Sequence, residues 1–172
     1  MAIATQLTVE EYLRTSFDTH QEFVDGDVIE RVYGERRHSE TVQALIEWFF
    51  PRVKTLGIFA LQSWTFRVAP NILRIPDFVI LAGPEPDEPF LETRPLVCIE
   101  ILQSDDRMSA VCRKISDYLA HGVRYVWILN PETREAFAYT EGGVHQVTDF
   151  LRTDNPAIEI PLAAIFESDP QG

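Results

Sequence analysis

Two carboxylates occupy positions in the sequence where burial is expected. Asp77 follows Pro76 at the start of an apolar run, and Glu100 lies inside the next apolar run, 100 − 77 = 23 positions later. An ionised carboxylate buried in such a run is costly unless a cation meets it. If the two strands converge, the pair forms a hard-oxygen site suited to Mg²⁺ with several waters retained. The alternative is structural, with Asp77 capping a strand after proline and Glu100 paired with an arginine.

The elements that must position this pair are predicted from periodicity and turn signals. Asp25-Gly26 is a strong signal for a tight hairpin, Pro51 interrupts or kinks a helix, and Gly57 ends it. The predicted elements in chain order are a helix at 7–15, a hairpin at 20–33, a helix at 39–55, strands at 58–68 and 76–81, a proline-rich acidic loop at 83–95, a strand at 96–102, a helix at 108–119, a strand at 123–129, a hairpin at 136–148 and a helical turn at 161–166.

One helix stands between the two most apolar strands, 96–102 and 123–129. A helix in that position predicts a right-handed crossover between parallel strands. The hairpins add antiparallel strands. The sequence therefore predicts an α/β fold with a central mixed sheet flanked by helices.

Composition limits the classes of protein. With 172 residues and 45% hydrophobic content, the chain fits one globular domain, residues 1–172. No apolar run approaches the roughly 18 residues of a spanning helix, and Cys98 and Cys112 are too few for a disulfide framework. We therefore expect a cytoplasmic protein without membrane contact. The net charge of −12 argues against a general nucleic-acid coat protein but not against an enzyme whose carboxylates bind divalent cations.

The order of these motifs resembles that of a known family. The pattern Pro-Asp, then Glu in an apolar strand, then a helix with a lysine resembles the PD-(D/E)XK nuclease superfamily. More narrowly, it resembles the Uma-type putative restriction endonucleases, a family carried as a domain of unknown function. The segments that carry the resemblance are LTVEEYL, QEFVDGDVIE, His38 at a helix start, PDFVIL, VCIEIL and RKISDYLAHGVRYVWILNP.

The resemblance implies a restriction-endonuclease-like fold and a set of site residues. Asp77, Glu100 and Glu22 would be catalytic metal ligands for Mg²⁺, or Mn²⁺, with the carbonyl of Ile101 as a further ligand. Lys114, 114 − 100 = 14 positions after Glu100, would orient the attacking water; its alternative is a solvated position beside the helix face. Glu22 and His38 also have structural alternatives, as a surface strand residue and a helix-start residue.

Other cations complete the implied substrate surface. His38, Arg37 and Arg107 are the predicted substrate-binding residues. Six arginines are candidate phosphate contacts: Arg36, Arg37, Arg67, Arg74, Arg107 and Arg113. The remaining histidines, His20, His121 and His145, are expected at the surface, and the three tryptophans in the core.

The chain departs from the family pattern beside the site. Leu102 stands two positions after Glu100, where the superfamily has its lysine, and the following residues are Gln103-Ser104-Asp105 instead of Ser-Pro-Ser. Ala110 replaces an acid, and Asn130-Pro131 replaces Asp-Pro. These differences leave the predicted metal ligands intact but change the adjacent loop.

The function that the resemblance implies is Mg²⁺-dependent hydrolysis of DNA phosphodiester bonds by an endonuclease that acts as a homodimer. Two alternatives stay open. A catalytically silent binding or scaffold protein would agree with the acidic charge, Leu102 and the altered loop. An RNA nuclease would use the same residues on a different substrate.

Overall fold

A computed structural model describes residues 6–31 and 35–167, and residues 32 and 33 of the predicted first hairpin lie outside this part. The α-helices are α1 Val9–Arg14, α2 Arg36–Phe49, α3 Val53–Leu56, α4 Met108–His121 and α5 Leu162–Phe166. The strands are β1 Gln21–Val24, β2 Asp27–Glu30, β3 Ile58–Gln62, β4 Phe66–Ala69, β5 Ile72–Arg74, β6 Phe78–Ala82, β7 Val97–Ile101, β8 Tyr125–Asn130, β9 Glu135–Thr140, β10 Gly143–Val147, β11 Phe150–Thr153 and β12 Ile158–Pro161.

A six-stranded mixed sheet forms the centre of the fold. Its strand order is β10-β9-β8-β7-β6-β3, and β7 and β8 are its parallel pair. Helix α4 makes the crossover between them, as the sequence predicted. A four-stranded sheet of order β2-β1-β5-β4 packs beside it, and β11 pairs with β12.

The two faces of the central sheet are covered by different helices. Residues of α2, such as Leu45 and Phe49, pack on one face with Phe78, Ile99 and Trp127. The opposite face is covered by α4 and β4, whose buried residues contact Val79, Cys98 and Val126 on alternate positions of the same strands: Phe66, Val68, Val111, Ile115 and Tyr118. The α/β class with a central mixed sheet flanked by helices is thus confirmed.

Local sequence signals explain the ends of several elements. Thr8 and Glu11 form the capping box that begins α1. Asp25 and Gly26 adopt positive φ angles of 50° and 97° in the turn between β1 and β2. Pro51 lies in the single 3₁₀ turn that separates α2 from α3, and Gly57 ends α3 with a φ of 63°.

The predicted strand 58–68 is wrong as one element. Ser63, at a φ of 51°, ends β3, and the chain then leaves the central sheet to form β4 in the four-stranded sheet. Alternating apolar residues do not distinguish one strand from two that pack in different sheets. The sequence prediction also omitted the short strands β5, β11 and β12, and α2 begins at Arg36 instead of Ser39.

In the part of the chain that the structure describes, no helix is long and apolar enough to cross a membrane.

Candidate functional site

Pairing of β6 with β7 brings the two predicted carboxylates together. The strands are antiparallel, with Phe78 opposite Ile99, so the next step of the register places Asp77 opposite Glu100. The backbone N–H of Ile101 donates to Oδ2 of Asp77 at 2.7 Å. Because Asp77 and Glu100 share the parity of Val79 and Cys98, both lie on the face covered by α4.

Asp77 is surrounded by hydrogen-bond donors. It is 2% exposed, Arg31 forms an ion pair with its Oδ1, and Nε2 of His38 lies 3.0 Å from the same oxygen. Burial alone would raise the pKa of Asp77, but the adjacent imidazole of His38 and the charge of Arg31 lower it to about 2. The partners of Asp77 therefore favour its ionised form.

Glu100 has a different environment. The hydroxyl of Tyr118 donates to its Oε1 at 2.6 Å, and Nζ of Lys114 donates to its Oε2 at 3.1 Å. Burial raises the pKa of Glu100, the nearby charge of Asp77 adds to this effect, and the ammonium of Lys114 opposes it. Burial disfavours the charged form of Lys114 as well and would lower its pKa, but the charges of Glu100 and Glu22 raise it.

Glu22 reaches the same cluster from β1. Its Oε1 lies 3.0 Å from Nζ of Lys114 and accepts the N–H of Ile75 at 3.0 Å. Its Oε2 accepts from Arg74 at 3.0 Å, and Arg74 in turn donates to Asp117 of α4 at 2.7 Å. Burial opposes ionisation of Glu22, but Lys114 and Arg74 lower its pKa. Glu22 is 1% exposed, which excludes the surface position considered from the sequence.

These side chains line one cavity of about 150 Å³. Three carboxylates and two cations of the cluster contribute to its wall: Glu22, Asp77, Glu100, Arg31 and Lys114. The loop after β7 contributes Leu102, Gln103, Asp105 and Asp106. Four of the predicted residues, Asp77, Glu100, Glu22 and Lys114, thus meet at one place.

The altered loop after Glu100 is held by carboxylates. The N–H of Ser104 donates to Glu35, the residue before α2, at 2.9 Å. The N–H of Gln103 donates to Asp106 at 2.8 Å. The loop therefore has a defined conformation next to the cavity, although its sequence departs from the family pattern.

Other predicted residues lie away from the cavity. Arg37 is exposed and pairs with Glu132 at 2.9 Å, and Arg107 is an exposed residue at the start of α4. Neither lines the cavity wall. His38 does belong to the cluster, but it contacts Asp77 and is only 8% exposed.

One sequence expectation about an individual side chain is wrong, and a second, for the half-buried His121, is met only in part. Arg74 is 5% exposed and bound to Glu22 and Asp117, so it cannot contact a phosphate from its present position. His121 was expected at the surface, but its Nδ1 lies 2.8 Å from the carbonyl of Val68 and its ring packs against Phe66. Arg74 of β5 and His121 of α4 thus both have polar partners within the chain, as buried polar atoms require.

The sequence analysis missed three polar residues of the site, Asp117, Tyr118 and Arg31, and named a fourth, Arg74, only as a candidate phosphate contact. Asp117 and Tyr118 follow Lys114 by three and four positions, so helical spacing could have placed all three on one side of α4. Arg31 and Arg74 come from the four-stranded sheet region, whose packing against the central sheet no local pattern reveals.

The case for metal binding rests on the type of side chains at the cavity and not on a ready-made set of ligands. Within residues 6–31 and 35–167, no group of three or more histidine, cysteine, aspartate or glutamate side chains is arranged to hold a metal ion. The metal-ligand set of Asp77, Glu100 and Glu22 stays a prediction. A site built from fewer carboxylates remains compatible with Mg²⁺, which often uses one or two carboxylates and keeps several waters.

The α/β architecture also occurs in a solved structure of another protein. It is similar to the crystal structure, at 1.96 Å resolution, of a putative nuclease belonging to DUF820 from Anabaena variabilis. The TM-score is 0.80, the sequence identity is 18%, and the match covers 94% of this chain and 98% of that chain. At this identity the similarity establishes the fold alone.

The sequence comparison then identifies the family. Residues 9–165 match the Uma2 family, described as putative restriction endonuclease. The chain therefore belongs to this family, and the resemblance drawn from its motifs is confirmed. No curated protein matches the sequence.

Proposed function

We propose that the protein is a Mg²⁺-dependent endonuclease that hydrolyses DNA phosphodiester bonds. The observation that carries this proposal is the meeting of Asp77, Glu100 and Lys114 at one cavity, to whose wall Glu22 also contributes. Membership of a family of putative restriction endonucleases supports the reaction class. The family resemblance implies DNA as the substrate, and RNA stays open as the alternative.

The donor set of the cavity fits Mg²⁺. Asp77 and Glu100 offer the hard carboxylate oxygens that this ion prefers, and each carboxylate oxygen has more than one lone pair. The Ile101 carbonyl is a further candidate ligand, and Glu22 would complete the site. Since Arg31 pairs with Oδ1 of Asp77, its guanidinium must shift when a cation binds there. Mn²⁺ has similar ligand preferences and is expected to substitute.

The residues of the chain have separate tasks in this reaction. Bound Mg²⁺ would polarise the scissile phosphate and lower the pKa of a water to give the nucleophile. Lys114 holds an ammonium between Glu100 and Glu22, where it can orient the attacking water and offset charge that develops on the phosphate. His38 holds Asp77 in place. The expected products are a 5′-phosphate and a 3′-hydroxyl.

Substrate binding must overcome the acidic charge of the chain. The net charge is −12, so binding of DNA depends on local cations and on the metal. Arg37 and Arg107 are exposed and remain the proposed substrate contacts outside the cavity. Arg31, once released from Asp77, is a further phosphate contact inside it.

A silent binding or scaffold protein is the second candidate function. The observation in its favour is that both oxygens of Asp77 and both oxygens of Glu100 already contact donors of the chain itself: Ile101, Arg31, His38, Tyr118 and Lys114. Such a protein would bind Mg²⁺ or Mn²⁺ no better than its Asp77→Ala variant does.

A cleavage assay separates these functions. Supercoiled plasmid, single-stranded DNA and RNA are incubated with the protein and Mg²⁺ or Mn²⁺, with EDTA and the Asp77→Ala variant as controls. Metal-dependent cleavage of plasmid by the wild type alone supports the proposal. Cleavage of RNA alone makes the protein an RNA nuclease. No cleavage of any substrate, together with equal Mn²⁺ binding by both proteins, favours the silent candidate.

The assembly and location are also proposals. We propose that residues 1–172 form a single domain that acts as a cytoplasmic isologous homodimer, because cleavage of both strands of a duplex needs two sites and C₂ dimers are the commonest oligomers. The exposed hairpins and the acidic loop 83–95 are the proposed surfaces. Sedimentation at tens of micromolar protein should give a dimer; a monomer would exclude this assembly and make single-strand nicking the expected activity.

A further inference from the structure

Helix α4 contacts both oxygens of Glu100 with two side chains one helical turn apart. Lys114 donates to Oε2 at 3.1 Å, and Tyr118 donates to Oε1 at 2.6 Å. Residues i and i+4 lie on the same side of a helix. The carboxylate is thus held at each end by a donor from one rigid element.

Tyr118 is itself fixed by packing. Its side chain is fully buried, at 0% exposure, and its ring stacks on Phe66 with ring centroids 6.2 Å apart. A buried phenol needs a hydrogen-bond partner, and in this structure the partner is the Glu100 carboxylate. The position of the hydroxyl is therefore set by the core and not by solvent.

The two donors differ in charge. Lys114 carries a positive charge that competes with a bound cation, whereas the phenol of Tyr118 is a neutral hydrogen-bond donor. A neutral donor can hold one oxygen without opposing a metal ion. Since a carboxylate oxygen has a second lone pair, Oε1 can accept from Tyr118 and still face a cation.

We propose that Tyr118 is a positioning residue that orients the Glu100 carboxylate for a divalent cation bound between Glu100 and Asp77. The inference rests on the proposed metal-dependent function. Partners of metal ligands fix the orientation of those ligands, and their loss typically weakens metal affinity by about 10–100-fold. The alternative is that Tyr118 only fills the core beneath α4.

The substitution Tyr118→Phe separates these two roles, because it keeps the ring and its packing on Phe66 and removes only the hydroxyl. The matched control is Tyr12→Phe, which removes a hydroxyl that donates to the carbonyl of Gln21 near α1. Mn²⁺ binding to each protein is measured by isothermal titration calorimetry, and thermal unfolding is recorded for the same samples. We expect Mn²⁺ affinity to fall by about 10–100-fold in Tyr118→Phe and to stay unchanged in Tyr12→Phe.

A double-mutant cycle tests whether the effect passes through Glu100. In a Glu100→Gln background, Tyr118→Phe should cause little further loss of Mn²⁺ affinity, because the carboxylate that it orients is gone. Additive losses would show that Tyr118 acts by another route and would overturn the inference.

The outcomes distinguish failure of the inference from failure of the proposed function. If wild-type protein binds Mn²⁺ and Tyr118→Phe binds it equally well, Tyr118 is a core residue only and the proposed nuclease function stands. If wild-type protein does not bind Mn²⁺, the metal site and the inference are both wrong. If Tyr118→Phe and Tyr12→Phe lower the melting temperature alike and only the former loses affinity, the positioning role is supported.

Discussion

The two central carboxylates of the site lie side by side but have different hydrogen-bond and ion-pair partners. Asp77 contacts a guanidinium, an imidazole and a backbone N–H, and its pKa is lowered to about 2. Glu100 contacts an ammonium and a phenol, and burial raises its pKa. Both are almost fully buried, so the difference arises from their partners and not from their exposure to water.

Because their partners differ, we expect Asp77 and Glu100 to have different roles in the proposed metal site. The partners of Asp77 favour its ionised form, so in the proposed metal site Asp77 would anchor the cation, which would compete with Arg31 for Asp77. The charge of Glu100 depends on Lys114 and on whatever cation binds nearby. A metal ion would therefore stabilise the ionised form of Glu100 more than it changes Asp77.

The largest expected effect comes from removing the anchor. Asp77→Asn should lower cleavage by at least about 10³-fold, because loss of a ligand exceeds the 10–100-fold typical of its outer partners, and should abolish Mn²⁺ binding measured by calorimetry. Asp18→Asn, which changes an exposed carboxylate between α1 and β1 that does not line the cavity, is the control and should retain both. Retained cleavage in Asp77→Asn would remove Asp77 from the mechanism.

The second prediction concerns Lys114, the cationic side chain that contacts Glu100. Lys114→Met should lower cleavage by about 10²–10⁴-fold, the usual contribution of a positioned proton-transfer or water-orienting group. Lys54→Met, on α3, should leave the rate unchanged. Calorimetry should show that Lys114→Met still binds Mn²⁺, and circular dichroism checks that it is folded. Equal rates for the two variants would leave Lys114 with a structural role only.

The third effect concerns pH and differs in sign between the two carboxylates. The folded-state pKa of Asp77 lies below its ordinary value of 3.8, so the folded state binds fewer protons than the unfolded chain. Its stabilisation is complete above that ordinary pKa, is lost as pH falls through about 2, and is on the order of 2 kcal/mol. Glu100 has a raised pKa, so its contribution to stability falls as pH rises through its ordinary value of 4.5.

Urea unfolding between pH 2.5 and 6 checks this difference in wild-type, Asp77→Asn and Glu100→Gln proteins without metal. Asp77→Asn should flatten the rise of unfolding free energy with pH, and Glu100→Gln should steepen it. Parallel curves for the two variants would show that their environments do not differ as described.

The smallest expected effect comes from Arg31, the cationic side chain that contacts Asp77. Arg31→Gln should raise Mn²⁺ affinity about tenfold, or ~1.4 kcal/mol, because a neutral side chain no longer competes for Asp77. Arg36→Gln removes an exposed charge that pairs with Glu40 and should leave the affinity as it was. A weaker Mn²⁺ affinity in Arg31→Gln would mean that Arg31 orders Asp77 for the metal instead of competing with it.

Much of the central sheet could be predicted from the sequence. The apolar runs around Cys98 and Trp127 and the helical periodicity between them define the parallel pair and its crossover. The Asp77–Glu100 pair followed from two carboxylates in such strands, and Lys114 followed from the family resemblance. These features depend on local patterns that survive in a single sequence.

The rest depends on contacts between distant segments. The break at Ser63 redirects the chain into a second sheet, and that sheet brings Arg74 and Arg31 toward the cavity. Arg74 lies between Leu73 and Ile75, but neither this apolar neighbourhood nor that of Arg31 shows which carboxylate the arginine contacts. A pattern of neighbours cannot show which cations will be buried when the partners lie far along the chain.

The cavity is closed by contacts that span long stretches of the sequence. Ile75 and Glu22 are 53 positions apart, Arg31 and Asp77 are 46 apart, and Lys114 and Glu100 are 14 apart. Contacts of large sequence separation form slowly, because loop-closure entropy must be overcome first. The unit of β7, α4 and β8 can therefore form early, while the cavity is complete only when the amino-terminal hairpin docks. If the proposed metal site is correct, the ability to bind a divalent cation should be among the last properties that the chain acquires as it folds.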